Sequence, residues 1–170
     1  GGSRPTGIRA AETPADDVAE YQPRWRSHTV DSTQYRKVFL AGTIDMGRSS
    51  DWQAALVARF RDGIGGRWLV FNPRRREFHA SPAEMEYQVA WELAHLEAAD
   101  LIVMNLLGDS RSPISLLEMG LYARSGKLFV ACSPDYYRYD NVRITCRRYG
   151  VPLYDSLTAL LDDLPQQSDE

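Results

Sequence analysis

A chain of 170 residues, 44% hydrophobic and 25% charged, suits one domain with a sizeable core. Its formal net charge of −3 gives no general attraction to nucleic acid polymers or anionic membranes, so a polyanion would need a local basic patch. No apolar run approaches the ~18–20 residues of a membrane-spanning helix, and the N-terminus lacks the apolar core of a secretory leader. The two cysteines, Cys132 and Cys146, lack metal-ligand spacing; a reduced, cytoplasmic protein is expected.

Residues 1–35 show no convincing period. Pro5, Pro14 and Pro23 interrupt them, so they read as a flexible or loosely docked arm, with Tyr21, Trp25 and Tyr35 as anchors to the body. The body spans residues 36–165 and opens with Lys37-Val38-Phe39-Leu40-Ala41-Gly42, a buried strand. A turn through Thr43-Ile44-Asp45-Met46-Gly47 leads to a helix with Trp52, Leu56 and Phe60 on its apolar face and Gly63 as its stop. Arg67–Asn72 is a second strand. Ser81-Pro82-Ala83-Glu84 is a capping box that starts a helix running to about Ala99. Leu101–Leu106 is the third strand, and Ser112-Pro113 opens the next helix. Lys127–Cys132, a helix from Asp140 to Tyr149, a weak edge strand Val151–Tyr154 and a helix from Ser156 to Leu164 complete the body. Residues 166–170 are expected to fray. Five strand–helix alternations predict an α/β, flavodoxin-like five-stranded parallel sheet of order 2-1-3-4-5 with helices on both faces. Ligands then belong at the carboxyl ends of the first and third strands.

Two carboxylates stand out. On a helical wheel Met85, Val89, Leu93 and Leu96 form one stripe with Glu92 beside it; Ile114, Leu117 and Leu121 form another, flanked by Glu118. A carboxylate near an apolar face is costly without a partner or a task. Right-handed crossovers place both helices on one sheet face. Helical rise puts Glu92 roughly 12 Å above the foot of its helix and Glu118 roughly 9 Å below the head of its own. The two therefore point into one cleft, where like charges raise one pKa and separate acid and base roles. That is the two-carboxylate logic of glycosyl transfer.

Phe39-Leu40-Ala41-Gly42-Thr43-Ile44, Ala99-Asp100-Leu101-Ile102-Val103 and Leu117-Glu118-Met119-Gly120 together resemble the nucleoside 2-deoxyribosyltransferase family, including its deoxynucleotide N-hydrolase branch. The resemblance implies that Glu118 is the nucleophile that bonds the anomeric carbon and releases the base. A second base or water then attacks. The family's second carboxylate matches Glu92, commonly an aspartate there. A tyrosine often found in the family's first strand is Phe39 here, which leaves Tyr122 or Tyr87 to orient the nucleophile. A homodimer, and a nucleoside or nucleotide as small-molecule partner, are expected on the same ground.

Gly42, Thr43, Ile44 and Asp45 follow the first strand, where backbone can approach a ligand and side chains can hold base or sugar edges. The glycine spacing matches neither a dinucleotide fingerprint nor a P-loop. Trp52 and Gln53 are candidates to stack on and hydrogen-bond a base. Arg74, in the run Arg74-Arg75-Arg76, and Ser115, with Ser112 at a helix start, are candidates for a 5′-phosphate. Asn141 falls where, in this family, a residue can reach the neighbouring subunit's site. Glu92 and His95 form one carboxylate–histidine pair without a second, so no metal and no organic cofactor is expected. The reading is cleavage or transfer of the N-glycosidic bond of 2′-deoxynucleosides or their 5′-monophosphates. Its rivals are a nucleotide or NAD-type N-glycoside hydrolase and a nucleotide-binding module without turnover.

Overall fold

The computed structural model describes residues 17–45 and 49–164. The expectations for residues 1–16, for the turn at Met46-Gly47 and for the tail 166–170 lie outside the described residues. The chain forms β1 (Val18–Gln22), β2 (Trp25–Arg26), β3 (Arg36–Gly42), α1 (Trp52–Arg59), β4 (Trp68–Phe71), α2 (Pro82–Ala98), β5 (Leu101–Leu106), α3 (Pro113–Tyr122), β6 (Leu128–Cys132), α4 (Tyr139–Tyr149), β7 (Leu153–Tyr154) and α5 (Leu157–Asp162). Among the described residues no helix is long and apolar enough to cross a membrane.

The sheet has seven strands in the order β2-β1-β4-β3-β5-β6-β7. The expected five-stranded sheet is thus short by two strands. The five strands of the body do run β4-β3-β5-β6-β7, with β7 at the edge. Residues 18–26, read from sequence as part of a loose arm, add β1 parallel to β4 and β2 antiparallel to β1. Polar residues in the run Val18-Ala19-Glu20-Tyr21-Gln22 hid the strand. Their side chains are satisfied at the end of β4: Asn72 Nδ2 donates to Glu20 Oε2 at 2.9 Å, and Gln22 Nε2 donates to the Arg74 carbonyl at 2.7 Å. Tyr21 and Tyr35 are buried, as expected of anchors, and Trp25 lies under the Arg76 guanidinium.

Strand residues alternate between two cores, as a sheet covered on both faces requires. Phe39, Ala41, Phe71, Ile102 and Met104 pack beneath α2, α3 and α4 with Leu96, Met119 and Val142. Val38, Leu40, Trp68, Val70 and Val103 pack beneath α1 and α5 with Trp52, Leu56 and Leu160. The wheel stripes of α2 and α3 do not all face that core. Leu96 is buried, but Met85, Val89, Leu93, Ile114, Leu117 and Leu121 are 47–59% exposed. A wheel identifies an apolar face without saying what covers it. The inward face of α2 is instead carried by Trp91, His95 and Leu96, and that of α3 by Ser115, Met119 and the adjoining Ala123.

Where β3 ends, the two central strands run into close contact. Gly42 has φ +125° and pairs with Asn105, and a Cβ there would lie 2.1 Å from the Asn105 carbonyl oxygen. Glycine is required by both conformation and space. Gly42→Ala should therefore destabilise the fold by about 3 kcal/mol or more, read as a fall in the urea midpoint with an unchanged slope.

Candidate active site

Helix α2 begins as the sequence indicates: Ser81 Oγ accepts from the Glu84 amide at 3.1 Å, and Pro82 occupies the first turn. The C-terminal end of α2 is held by Lys127, whose Nζ donates to the carbonyls of Leu96 at 2.7 Å and Ala99 at 2.9 Å. With α2 fixed against the sheet, Glu92 turns towards α3 and meets Glu118.

The two carboxyls lie close enough for each to act on the other's charge. Glu118 is 8% exposed, and Glu92 is half-buried. Desolvation first, then the neighbouring Glu92 charge, pushes the Glu118 carboxyl up to about 8. Glu92 is also raised by burial, against the opposing pull of the amide of Gln88, whose Nε2 donates to Glu92 Oε2 at 2.7 Å. Two carboxylates in one desolvated contact cannot both be charged at low cost, so the pair holds one proton through the neutral range.

From Trp91, the residue before Glu92 on α2, an aromatic cluster extends inwards. Trp91 stacks on His95 with ring centroids 3.9 Å apart; His95 meets Phe71 edge-on at 4.7 Å, and Phe39 stands 6.3 Å from Trp91. His95 Nδ1 lies 2.7 Å from the Trp91 carbonyl, so its ring is built into the core and makes no pair with Glu92. The tyrosines considered as substitutes for a Phe39 hydroxyl are engaged elsewhere. Tyr122 donates to Glu97 Oε1 at 3.1 Å, and Tyr87 accepts from the Arg24 amide at 3.1 Å.

The loop candidates divide into supports and exposed groups. Thr43 is fully buried; its Oγ1 lies 2.9 Å from Ser110 Oγ and 2.8 Å from Ser112 Oγ, and accepts from the Leu107 amide at 3.0 Å. Its carbonyl accepts from Trp52 Nε1 at 2.9 Å and Gln53 Nε2 at 3.3 Å. Trp52 and Gln53 are both buried, so these two side chains and Thr43 hold the loop. Ser112 spends its hydroxyl on this cluster and caps no helix amide. Arg74 likewise aims inward: its guanidinium donates to the carbonyls of Ser50 at 2.8 Å and Ser49 at 2.9 Å and to Gln53 Oε1 at 3.2 Å. It binds the β3–α1 loop to the end of β4.

Ile44 and Asp45 remain half-buried at the carboxyl end of β3, Asp45 with φ +50°. A non-glycine residue in the left-handed region is uncommon and marks a turn held by its surroundings. Ser115 is buried on α3, three residues before Glu118. Asn141 is exposed on α4 and lines a groove of about 280 Å³ with Leu116, Met119, Gly120 and Arg138, apart from the two glutamates. Sequence reading passed over Gln88. Its only signal was the i, i+4 spacing to Glu92, which places the two side chains on one face of α2.

The buried pair has a consequence for stability. A carboxyl raised from 4.5 to about 8 on folding binds its proton more tightly in the native state, so stability falls as pH rises through that window. Glu118→Gln removes the titration. Its melting temperature should exceed that of the parent at pH 8.5 and approach it at pH 5, by differential scanning calorimetry.

No curated protein matches the chain. A family model described as nucleoside 2-deoxyribosyltransferase like matches residues 35–136. The matched segment starts just before β3 and ends beyond β6, so it contains the Gly42–Asp45 loop, Glu92 and Glu118. On that match, which spans more than half of its length, the chain belongs to the nucleoside 2-deoxyribosyltransferase-like family.

Proposed function

We propose that the chain cleaves or transfers the N-glycosidic bond of 2′-deoxynucleosides or their 5′-monophosphates through a covalent glycosyl ester on Glu118. The observation that carries this reading is the pair of carboxyls brought together from α2 and α3, Glu118 buried and Glu92 half-buried, where burial and mutual repulsion favour a single shared proton. That is the protonation state the chemistry consumes. As a Glu118 oxygen bonds the anomeric carbon, its proton passes to Glu92. The carbon–nitrogen bond breaks with its electron pair on the base, and Glu92 delivers the proton to the departing nitrogen. Nucleoside and protonated Glu118 become glycosyl ester and neutral base, so atoms and charge balance. An incoming base reverses the step to give a new nucleoside; water gives free sugar. No metal or organic cofactor enters the scheme.

Ile44, Asp45 and Ser115 are the candidates for contact with sugar and base in this reading. Gly42, Thr43, Trp52, Gln53 and Arg74 serve by holding the loop. Arg74 is already bonded to loop carbonyls, which favours the nucleoside over the monophosphate as substrate. The chain acts as a homodimer, with the exposed stripes of α2 and α3 as contact: six large apolar side chains on neighbouring helices form a patch that a soluble monomer rarely leaves open. The exposed position of Asn141, away from its own chain's glutamates, suits a residue offered across such an interface.

Glu118→Ala should abolish release of free base, by about 10³-fold or more, while circular dichroism shows the parent fold; undiminished turnover would sink the mechanism. Incubating deoxynucleoside with a second free base separates the branches: exchanged nucleoside marks a transferase, and free deoxyribose alone marks a hydrolase. The pH profile of base release should have an alkaline limb near 8, where the pair loses the proton that the leaving base needs. Leu93→Glu combined with Leu117→Glu should halve the mass seen by light scattering; an unchanged mass removes this face from the interface.

A further inference from the structure

Gln88 sits on α2, one turn before Glu92, with its amide pinned from three sides. Nε2 donates to Glu92 Oε2 at 2.7 Å and to the Pro73 carbonyl at 3.1 Å. Both partners are acceptors, so the nitrogen, with its two hydrogens, must face them and the opposite rotamer of the amide is excluded. The remaining atom, Oε1, faces the Arg75 guanidinium at a longer 3.5 Å. Arg75 is in turn fixed by Glu84 at 2.7 Å, and Glu84 by Arg24 at 2.7 Å. Arg24 lies in the turn between β1 and β2, outside the matched family segment, with its guanidinium 3.8 Å above the Tyr87 ring. A chain of polar contacts therefore runs from the N-terminal hairpin to the carboxyl pair.

Only one member of the pair receives this amide. An N–H donor favours the charged form of a carboxylate over the neutral form, which needs no second donor. The groups that face Glu92 are Glu118 from α3 and Gln88 from its own helix. Arg75 and the Pro73 carbonyl stand behind Gln88, and Tyr122, bonded to Glu97, stands behind Glu118. The amide of Gln88 adds to the difference in burial between the two carboxyls and favours charge on Glu92. We propose that Gln88 is a positioning residue that holds Glu92 as the ionised member of the pair, so that the single proton rests on Glu118 before attack and leaves Glu92 readily for the base afterwards. This inference rests on the glycosyl-ester reading above.

The step it governs is a proton transfer and needs no further reactant. Before attack, Glu92 is the acceptor of the Glu118 proton. Once protonated, Glu92 is a stronger acid with the amide beside it than without it, because the amide stabilises the carboxylate that remains. Removing the donor lets the proton settle on Glu92, where it is harder to pass on to a base nitrogen.

Gln88→Met keeps length and volume and removes both N–H groups. The full chain, carrying ¹³C at the glutamate δ-carbon, is titrated by NMR from pH 5 to 9, with Glu92→Gln and Glu118→Gln assigning the two resonances. In the parent at pH 6.5 the Glu92 signal should be that of a carboxylate and the Glu118 signal that of a carboxylic acid. In Gln88→Met at least about half of the proton should move to Glu92. The kcat for base release should fall about tenfold or more while KM stays within about twofold, and the acid limb of the pH profile should rise by about one unit. Gln88→Ala should give the same proton distribution, which separates the lost donor from any misfit of methionine. An unchanged distribution in both variants, or an unchanged kcat in the presence of a shifted proton, overturns the proposal. Failure of the parent itself to release base would instead overturn the glycosyl-ester reading, and the NMR arm would still report where the proton lies.

Discussion

One desolvated contact, between the carboxyls of Glu92 and Glu118, sets the terms for the rest of the molecule. A lone carboxylate at this depth would be neutralised or expelled. Two of them share a proton, which lowers the cost and leaves one negative charge in an apolar cleft. Trp91, next to Glu92 on α2, packs with Phe39 and with a His95 ring whose own pKa burial lowers. The fold therefore stores an electrostatic penalty between α2 and α3, and its core must be stable enough to carry it.

Two rigid devices keep that contact in register. The first is the meeting of β3 and β5, where Gly42 lets the strand ends approach, and Thr43 gathers Ser110 and Ser112 into a buried cluster of hydroxyls. The cluster fixes the start of α3, and α3 carries Glu118. The second is the β4–α2 connection, where Arg74 closes on the β3–α1 loop and Gln88 bridges the Pro73 carbonyl to Glu92. Each glutamate is thus located by its own loop at the carboxyl edge of the sheet. Residues such as Thr43, Gln53 and Arg74, polar and adjacent to the site, spend their hydrogen bonds on these loops.

The sequence disclosed the repeated strand–helix pattern because fully buried parallel strands are continuous apolar runs, as in Phe39–Ala41 and Leu101–Met104. It disclosed the glutamate pair because crossover handedness determines which helices share a face. The hairpin at residues 18–26 stayed hidden, since Glu20 and Gln22 are polar in sequence and paired only in three dimensions. The orientation of α2 and α3 was half legible. An apolar stripe announces that something covers it, but a wheel cannot tell the sheet of the same chain from another surface, and Met85, Val89 and Leu117 proved to be turned outwards. Arg74 illustrates the same gap: a charge near a ligand edge looks available until its carbonyl partners are seen.

The position of Phe39 ties these threads together. Where the family often places a tyrosine hydroxyl near the nucleophile, this chain has a ring that only packs, fully buried against Trp91. The donor that does reach the pair comes from α2, where Gln88 bonds Glu92. From Gln88 the contacts run through Arg75 and Glu84 to the N-terminal hairpin, whose Arg24 makes the outermost one. An addition at the edge of the sheet, lying before the matched family segment, is in this way connected to the carboxyl at its centre.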